Sequence, residues 1–279
     1  MRILLFGAFI ALILIALAVW RYWDHYADRI EMDRLLALQP ETPKRFEYAM
    51  IADLPEPAQR YFRFAIAQGT PLLPVVELSM TGMFSLGDKD QPNFMQMRAH
   101  QVLAPPHGFV WKMGAQSGHL RLSGSDSGAW TRFWMGGLMP VARIGGNSNH
   151  ARAAFGRMVA EAAFWAPAAL LPGPDITWQA VNSETVKATV RHAEIEQSVE
   201  ISVAPDGRPM SIVFDRWTNA NPENRYQEQP FGGYLSEFKE VQGYQIPTHV
   251  EAGNFFGTDG YFPFFIADVT EISFPKPRR

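Results

Sequence analysis

Residues 3–20 read ILLFGAFIALILIALAVW, eighteen positions without a charge. As a helix this run spans about 27 Å at roughly 1.5 Å per residue, close to the hydrocarbon thickness of a bilayer. It is longer than the roughly 7–15-residue apolar core of a secretory signal. Ala16-Leu17-Ala18 offers a small-x-small cleavage pattern, but Val19, Trp20 and Arg21 follow without a polar break. Trp20, Tyr22 and Trp23, beside Arg21, have the amphipathic character of anchors at headgroup level. The expectation is a retained transmembrane anchor over residues 1–22, making the membrane, through residues 3–20, the first partner. Arg2 precedes the run, while Arg21, Arg29 and Arg34 follow it, so the positive-inside count does not choose an orientation. A single N-terminal anchor ahead of a translocated domain is the commoner arrangement. It puts the globular part on the periplasmic or extracytoplasmic side of the inner membrane.

Helical spacing continues through residues 21–38, with Tyr22, Tyr26, Ile30, Asp33 and Ala37 on one face. This segment reads as a stalk ending before Pro40, and Pro40 and Pro43 mark a linker. Residues 23–45 are thus a juxtamembrane helix and linker, and 46–279 a single β-rich globular domain. Within it, Asp53-Leu54-Pro55-Glu56 carries the signals of a capped helix start, and Leu54, Ala58, Tyr61, Phe62, Ala65 and Ile66 recur at helical spacing up to Gly69. A second helix is expected over about 148–165, capped by Asn147 or Ser148 and stopped before Pro167.

Elsewhere the apolar period is two. Segments 78–84, 94–103, 108–113, 119–125 and 128–135 alternate, as do 175–181, 185–192, 198–205, 210–218, 232–241, 244–254 and 264–274. Asp206-Gly207 and Gln242-Gly243 are hairpin signals. Consecutive short strands without helical crossovers imply antiparallel pairing, and eleven or twelve of them exceed what a flat sheet accommodates. The predicted class is α+β, mainly β. Its expected form is a strongly curved antiparallel sheet, an incomplete barrel, covered by two or three helices and preceded by the transmembrane helix.

Composition narrows the chemistry. Lys plus Arg number 25 against 28 Asp plus Glu, which argues against nucleic acid as a partner. Zero cysteines exclude disulfides, thiol nucleophiles and Cys-ligated metals. The seven histidines form no H-x-x-x-H or H-E-x-x-H pattern; His100 and His107 are the one pair that a hairpin would bring near. No metal and no cofactor is expected. Gly124-Ser125-Asp126-Ser127-Gly128 has Asp where a nucleophile elbow needs Ser, and reads as a polar turn. Glu194, Glu196 and Glu200 read as a solvated strand face, and Asp215 with Glu237 as a conditional acid–base pair. Large rings dominate instead. Trp111, Trp130, Phe133, Trp134, Trp165, Phe214 and Phe231 are the candidate ligand-binding residues, because big apolar rings in a curved sheet suit a greasy ligand.

Five blocks carry a family resemblance: LPEPAQRYFRFAIAQG (54–69), QVLAPPHGFVWKM (101–113), GGLMPVARIGG (136–146), AAFWAPAALLPGPDITWQAV (162–181) and GGYLSEFKEVQGYQIPTHVE (232–251). In order and spacing they resemble an uncharacterised bacterial family of domains of unknown function, whose blocks read LPxPVxRYL, GFVWxA, GLxPV, WFPTALLP and GGxxIPxxxE. The chain has Ala58 where that family often has Val, and Ala166-Pro167-Ala168 where FPT is usual. The strand pattern is also similar, at fold level, to periplasmic lipoprotein-carrier proteins. By analogy this second likeness implies lipid or lipoprotein handling. The anchor, the curved β-rich pattern and the missing catalytic motif lead to the expectation of a non-enzymatic, membrane-anchored binding module for a lipid or acyl ligand. Two alternatives stand beside it: an envelope scaffold or interaction domain, and a hydrolase assembled from separate strands, with Asp126, Asp215, Glu237 or His100 as its candidates.

Overall fold

The computed structural model describes residues 2–276, so Met1 of the expected anchor and residues 277–279 of the expected domain lie outside the described residues. One helix, α1 (Arg2–Leu36), runs through both the apolar segment and the expected stalk. Residues 5–20 are exposed apart from half-buried Leu17. The second half is no free stalk. Tyr22, Tyr26 and Ile30 face solvent, whereas Asp24, Asp28, Met32, Leu35 and Leu36 form a buried stripe at helical spacing. Met32, Leu35 and Leu36 pack with Val75, Val102, Ala104 and Val110 in a small core separate from the main one.

A 3₁₀ turn (Tyr48–Ile51) leads to α2 (Glu56–Ala65). Its N-cap is Pro55, with no side-chain cap, so Asp53 does not play the expected capping part. Then follow β1 (Val76–Ser85), β2 (Phe94–Ala104), β3 (Gly108–Ser117), β4 (Leu120–Ser127), β5 (Trp130–Met135) and β6 (Met139–Gly145). The Gly124–Ser127 segment belongs to β4 and is not a turn. Strand β6 went unread because Gly and Pro interrupt its alternation. Helix α3 (Ser148–Trp165) is capped as expected, Asn147 accepting from the His150 backbone N–H at 2.9 Å. After a 3₁₀ turn (Pro167–Leu170) come β7 (Ile176–Ala180), β8 (Thr185–His192), β9 (Ile195–Val203), β10 (Pro209–Thr218), β11 (Gln227–Val241), β12 (Tyr244–Asn254) and β13 (Phe262–Ser273).

All thirteen strands form one antiparallel sheet, in the order β6-β5-β4-β3-β2-β1-β13-β12-β11-β10-β9-β8-β7. Two meanders are thus joined where the first strand pairs with the last, Leu78 opposite Ile272 and Met83 opposite Ile266. A sheet of this width curls because strand twist accumulates. Helix α3 connects the two edge strands and lies across the concave face, touching β3 and β6 of one meander and β9, β10 and β12 of the other. Helix α2 covers the same face further along, against β7, β8, β9 and β12. Between sheet and helices lies the main core, with Trp165, Tyr61, Tyr244, Phe62 and Phe109 among its fully buried side chains. Gly156 lets α3 approach closely: a Cβ there would stand 3.3 Å from the Phe214 ring.

Candidate functional site

Alternation along the strands sorts side chains onto two faces. On β5, Thr131 and Phe133 turn inward to α3, while Trp130, Arg132 and Trp134 turn outward to α1. On β10, Ile212, Phe214 and Arg216 share the inner face. The inner residues leave a cavity of about 290 Å³ between α3 and both halves of the sheet. That is at the lower end of the roughly 300–1,000 Å³ usual for small-molecule sites.

Most of its wall is aromatic. Trp111 of β3 meets Phe84, Phe133 and Phe265 at centroid distances of 6.2, 6.4 and 6.2 Å. On the other side Phe231 joins Phe214 at 5.5 Å and Phe264 at 5.9 Å. Phe164 and Trp165 close it from α3. Such edge-on and tilted contacts hold the rings in fixed orientations and contribute about 0.5–1.5 kcal/mol per pair beyond burial.

One part of the wall is charged. Arg157 of α3 donates Nη1–H to Asp126 Oδ2 at 2.7 Å and Nε–H to Glu161 Oε1 at 2.6 Å. Its Nη2 also donates to Gln101 Oε1 at 3.3 Å. Asp126 accepts in addition from Thr131 Oγ1 at 2.5 Å. Burial opposes the Arg157 charge, but Glu161 and Asp126 outweigh it and hold its pKa above the ordinary value. Among the described residues the side chain of Arg216, on the same wall, has no ion-pair partner and its buried Nε has no hydrogen-bond partner; its guanidinium lies 4.8 Å over the Phe231 ring.

The structure brings Trp111, Phe133, Trp165, Phe214 and Phe231 together on this cavity. Trp130 and Trp134 do not join them. Trp130 Nε1 donates to Ser125 Oγ at 3.0 Å, and Trp134 meets Trp20 edge-on at 5.6 Å. The outward turn follows from their even positions on β5, opposite in parity to Phe133. Sequence reading missed Phe84, Phe164, Phe264, Phe265, Arg157, Glu161 and Arg216. Arg216 was detectable, because the alternation Ile212, Phe214, Arg216 puts a guanidinium on an apolar face. Arg157 and Glu161 are an i, i+4 pair on a helix apolar almost all round.

The hydrolase candidates are scattered. Asp126 is tied to Arg157, Asp215 lies opposite Pro230 rather than Glu237, and His100 is on the outer face 3.2 Å from Glu77. His107 contacts His192 and not His100. Among the described residues no three His, Asp or Glu side chains are grouped to hold a metal.

Residues 44–267 match the Family of unknown function (DUF6544). No curated protein matches the chain. Among solved structures, a LolA superfamily protein from Nitrosomonas europaea is similar over 77% of this chain and 90% of its own, at 10% identity and a TM-score of 0.39. A candidate outer membrane lipoprotein-sorting protein domain from Vibrio parahaemolyticus is similar over 78% and 90%, at 10% identity and a TM-score of 0.38.

Proposed function

Since the chain belongs to DUF6544, a family of unknown function, we propose on physical grounds that it is a membrane-anchored, non-enzymatic binding module for a lipid-like ligand. The observation that carries this reading is the aromatic cavity between α3 and the concave sheet. Protein interiors close-pack, so a hollow lined by mutually supported rings is a space kept for an occupant. Its volume suits one hydrocarbon chain better than a multi-chain lipid. Residues 1–22 serve as the anchor, 23–45 as the connection, and the rest as one domain on the periplasmic or extracytoplasmic side of the inner membrane. Support for the anchor is the exposure of an unbroken apolar stretch, with Phe6, Leu12 and Ile15 each more than 60% exposed, a surface that water penalises and hydrocarbon accepts.

The test is quenching of tryptophan fluorescence in the full-length protein, held in amphipol, by a brominated stearate. Saturable quenching is expected, with its amplitude reduced by Trp111→Phe and Trp165→Phe and not by Trp130→Phe. Absence of saturable quenching overturns the reading. Retention in the membrane pellet after alkaline extraction is expected for the anchor, and release into the supernatant overturns that part.

A further inference from the structure

Four charged side chains border the cavity: Asp126, Glu161, Arg157 and Arg216. Their formal charges cancel, but their pairing does not. Arg157 takes both carboxylates, and neither comes within ion-pair distance of Arg216. Arg216 Nε is buried without a hydrogen-bond partner, and so is Nε1 of Trp111 on the same cavity. A buried donor without an acceptor loses its hydration uncompensated, and loses more when it is charged. Natural proteins keep few such groups, and those they keep call for an explanation. Stacking on Phe231 stabilises the Arg216 cation but satisfies none of its N–H groups. Burial first, and then repulsion from Arg157, lowers the Arg216 pKa to about 10 against the longer-range attraction of Asp126 and Glu161, so at neutral pH it remains a cation with no carboxylate in direct contact.

Resting on the lipid-cavity reading above, we propose that Arg216 anchors the head of the ligand. The ligand class is a single-chain amphiphile with an anionic oxygen, whose hydrocarbon tail lies along the rings of Phe84, Phe133, Phe264 and Phe265. A carboxylate and a phosphate monoester share the chemistry required: two acceptor oxygens that match a guanidinium fork. The outward alternative, pairing with solvent ions, is disfavoured by the side chain's place on the inner face of β10 beside Phe214.

The experiment compares three probes on the full-length protein in amphipol: oleate, oleoyl lysophosphatidate and oleyl alcohol, each displacing brominated stearate. Wild type is expected to bind at least one anionic probe about tenfold or more tighter than the alcohol, the difference that a charged hydrogen bond provides. Which anion binds tighter separates the fatty-acid source from the phospholipid source. Arg216→Met should bring the preference to within about twofold, and Arg216→Lys should restore part of it. Equal affinity of wild type for oleate, lysophosphatidate and alcohol overturns this inference while leaving the cavity reading intact. Failure of all three to bind overturns both. Because the wild-type comparison needs no variant, a poorly folding Arg216→Met does not remove the test. If that variant folds and keeps the full preference, the anchor is another group and the proposal fails.

Discussion

Trp134 Nε1 donates to Asp24 Oδ2 at 2.8 Å, joining a strand of the sheet to the helix that carries the N-terminal apolar run. Arg143 reaches the same carboxylate with two nitrogens, Nη1 to Oδ2 at 2.5 Å and Nη2 to Oδ1 at 3.0 Å. One helical turn on, Asp28 accepts from Ser125 Oγ at 2.7 Å and from Arg132 Nη2 at 2.9 Å. The carboxylates are almost wholly buried, and their partners come from β4, β5 and β6. The lower half of α1 is therefore clamped to the outer face of the sheet, and ion pairs fix the orientation of the cavity relative to the apolar half of that helix.

That clamp predicts a local effect of Asp24→Ala. Removing one partner of a buried pair costs about 3 kcal/mol or more, because the remaining guanidiniums stay desolvated. Undocking of residues 23–36 should become on the order of 100-fold more populated, visible as faster proteolysis in that segment with the sheet still folded. Proteolysis unchanged from wild type would mean that Met32, Leu35 and Leu36 hold the helix by themselves.

Ala160 is buried on α3 and borders the cavity. Ala160→Phe should fill that space, abolishing saturable quenching by brominated stearate. Because the ring enters existing volume, the stability cost should stay below the about 1–3 kcal/mol typical of overpacking. Loss of quenching together with a large fall in Tm would indicate misfolding and not occupancy.

His249 lies between Asp268, 2.7 Å from Nδ1, and Glu251, 3.4 Å from Nε2. The hydrogen bond to Asp268 is the main cause that raises its pKa above the ordinary 6.5. A raised folded-state pKa gives stabilisation that is complete below about pH 6.5 and is lost as pH rises through the folded value. The Tm difference between wild type and His249→Gln should accordingly shrink from pH 6 to pH 8. In an NMR titration His249 should have its midpoint above 6.5. His107 should lie below 6.5, where burial, His192 and Arg34 all disfavour its charge.

Gly207 turns the β9–β10 hairpin at φ +92°, and a Cβ on it would stand 2.3 Å from the Arg60 carbonyl oxygen of α2. Both the left-handed backbone and the contact disfavour a side chain. Gly207→Ala should cost about 2 kcal/mol, measured by denaturant unfolding, whereas Gly118→Ala, with open space around it, should cost only its backbone strain.

Local chemistry made much of this molecule legible in its sequence. The uncharged run 3–20, the alternation of most strands and the Asn147 cap before an apolar helix depend on neighbours along the chain; the run is helical within the longer α1, and the expected strands and the capped helix lie close to their expected bounds. The width of the sheet followed from counting strands, and its curvature from the twist that such a number accumulates. Tertiary structure decided the rest. Pairing of β1 with β13 joins the two meanders into one sheet, and no local pattern specifies contact between segments so far apart. It also decided that residues 21–36, expected as a free stalk, dock on the side of Asp24 and Asp28, whose counter-charges come from Arg143 and Arg132. The same holds at the cavity, where alternation put Arg216 on the inner face but only the fold gave both nearby carboxylates to Arg157. A charge is defined by its own side chain, but whether it is satisfied depends on groups that distant strands and helices bring within hydrogen-bonding reach.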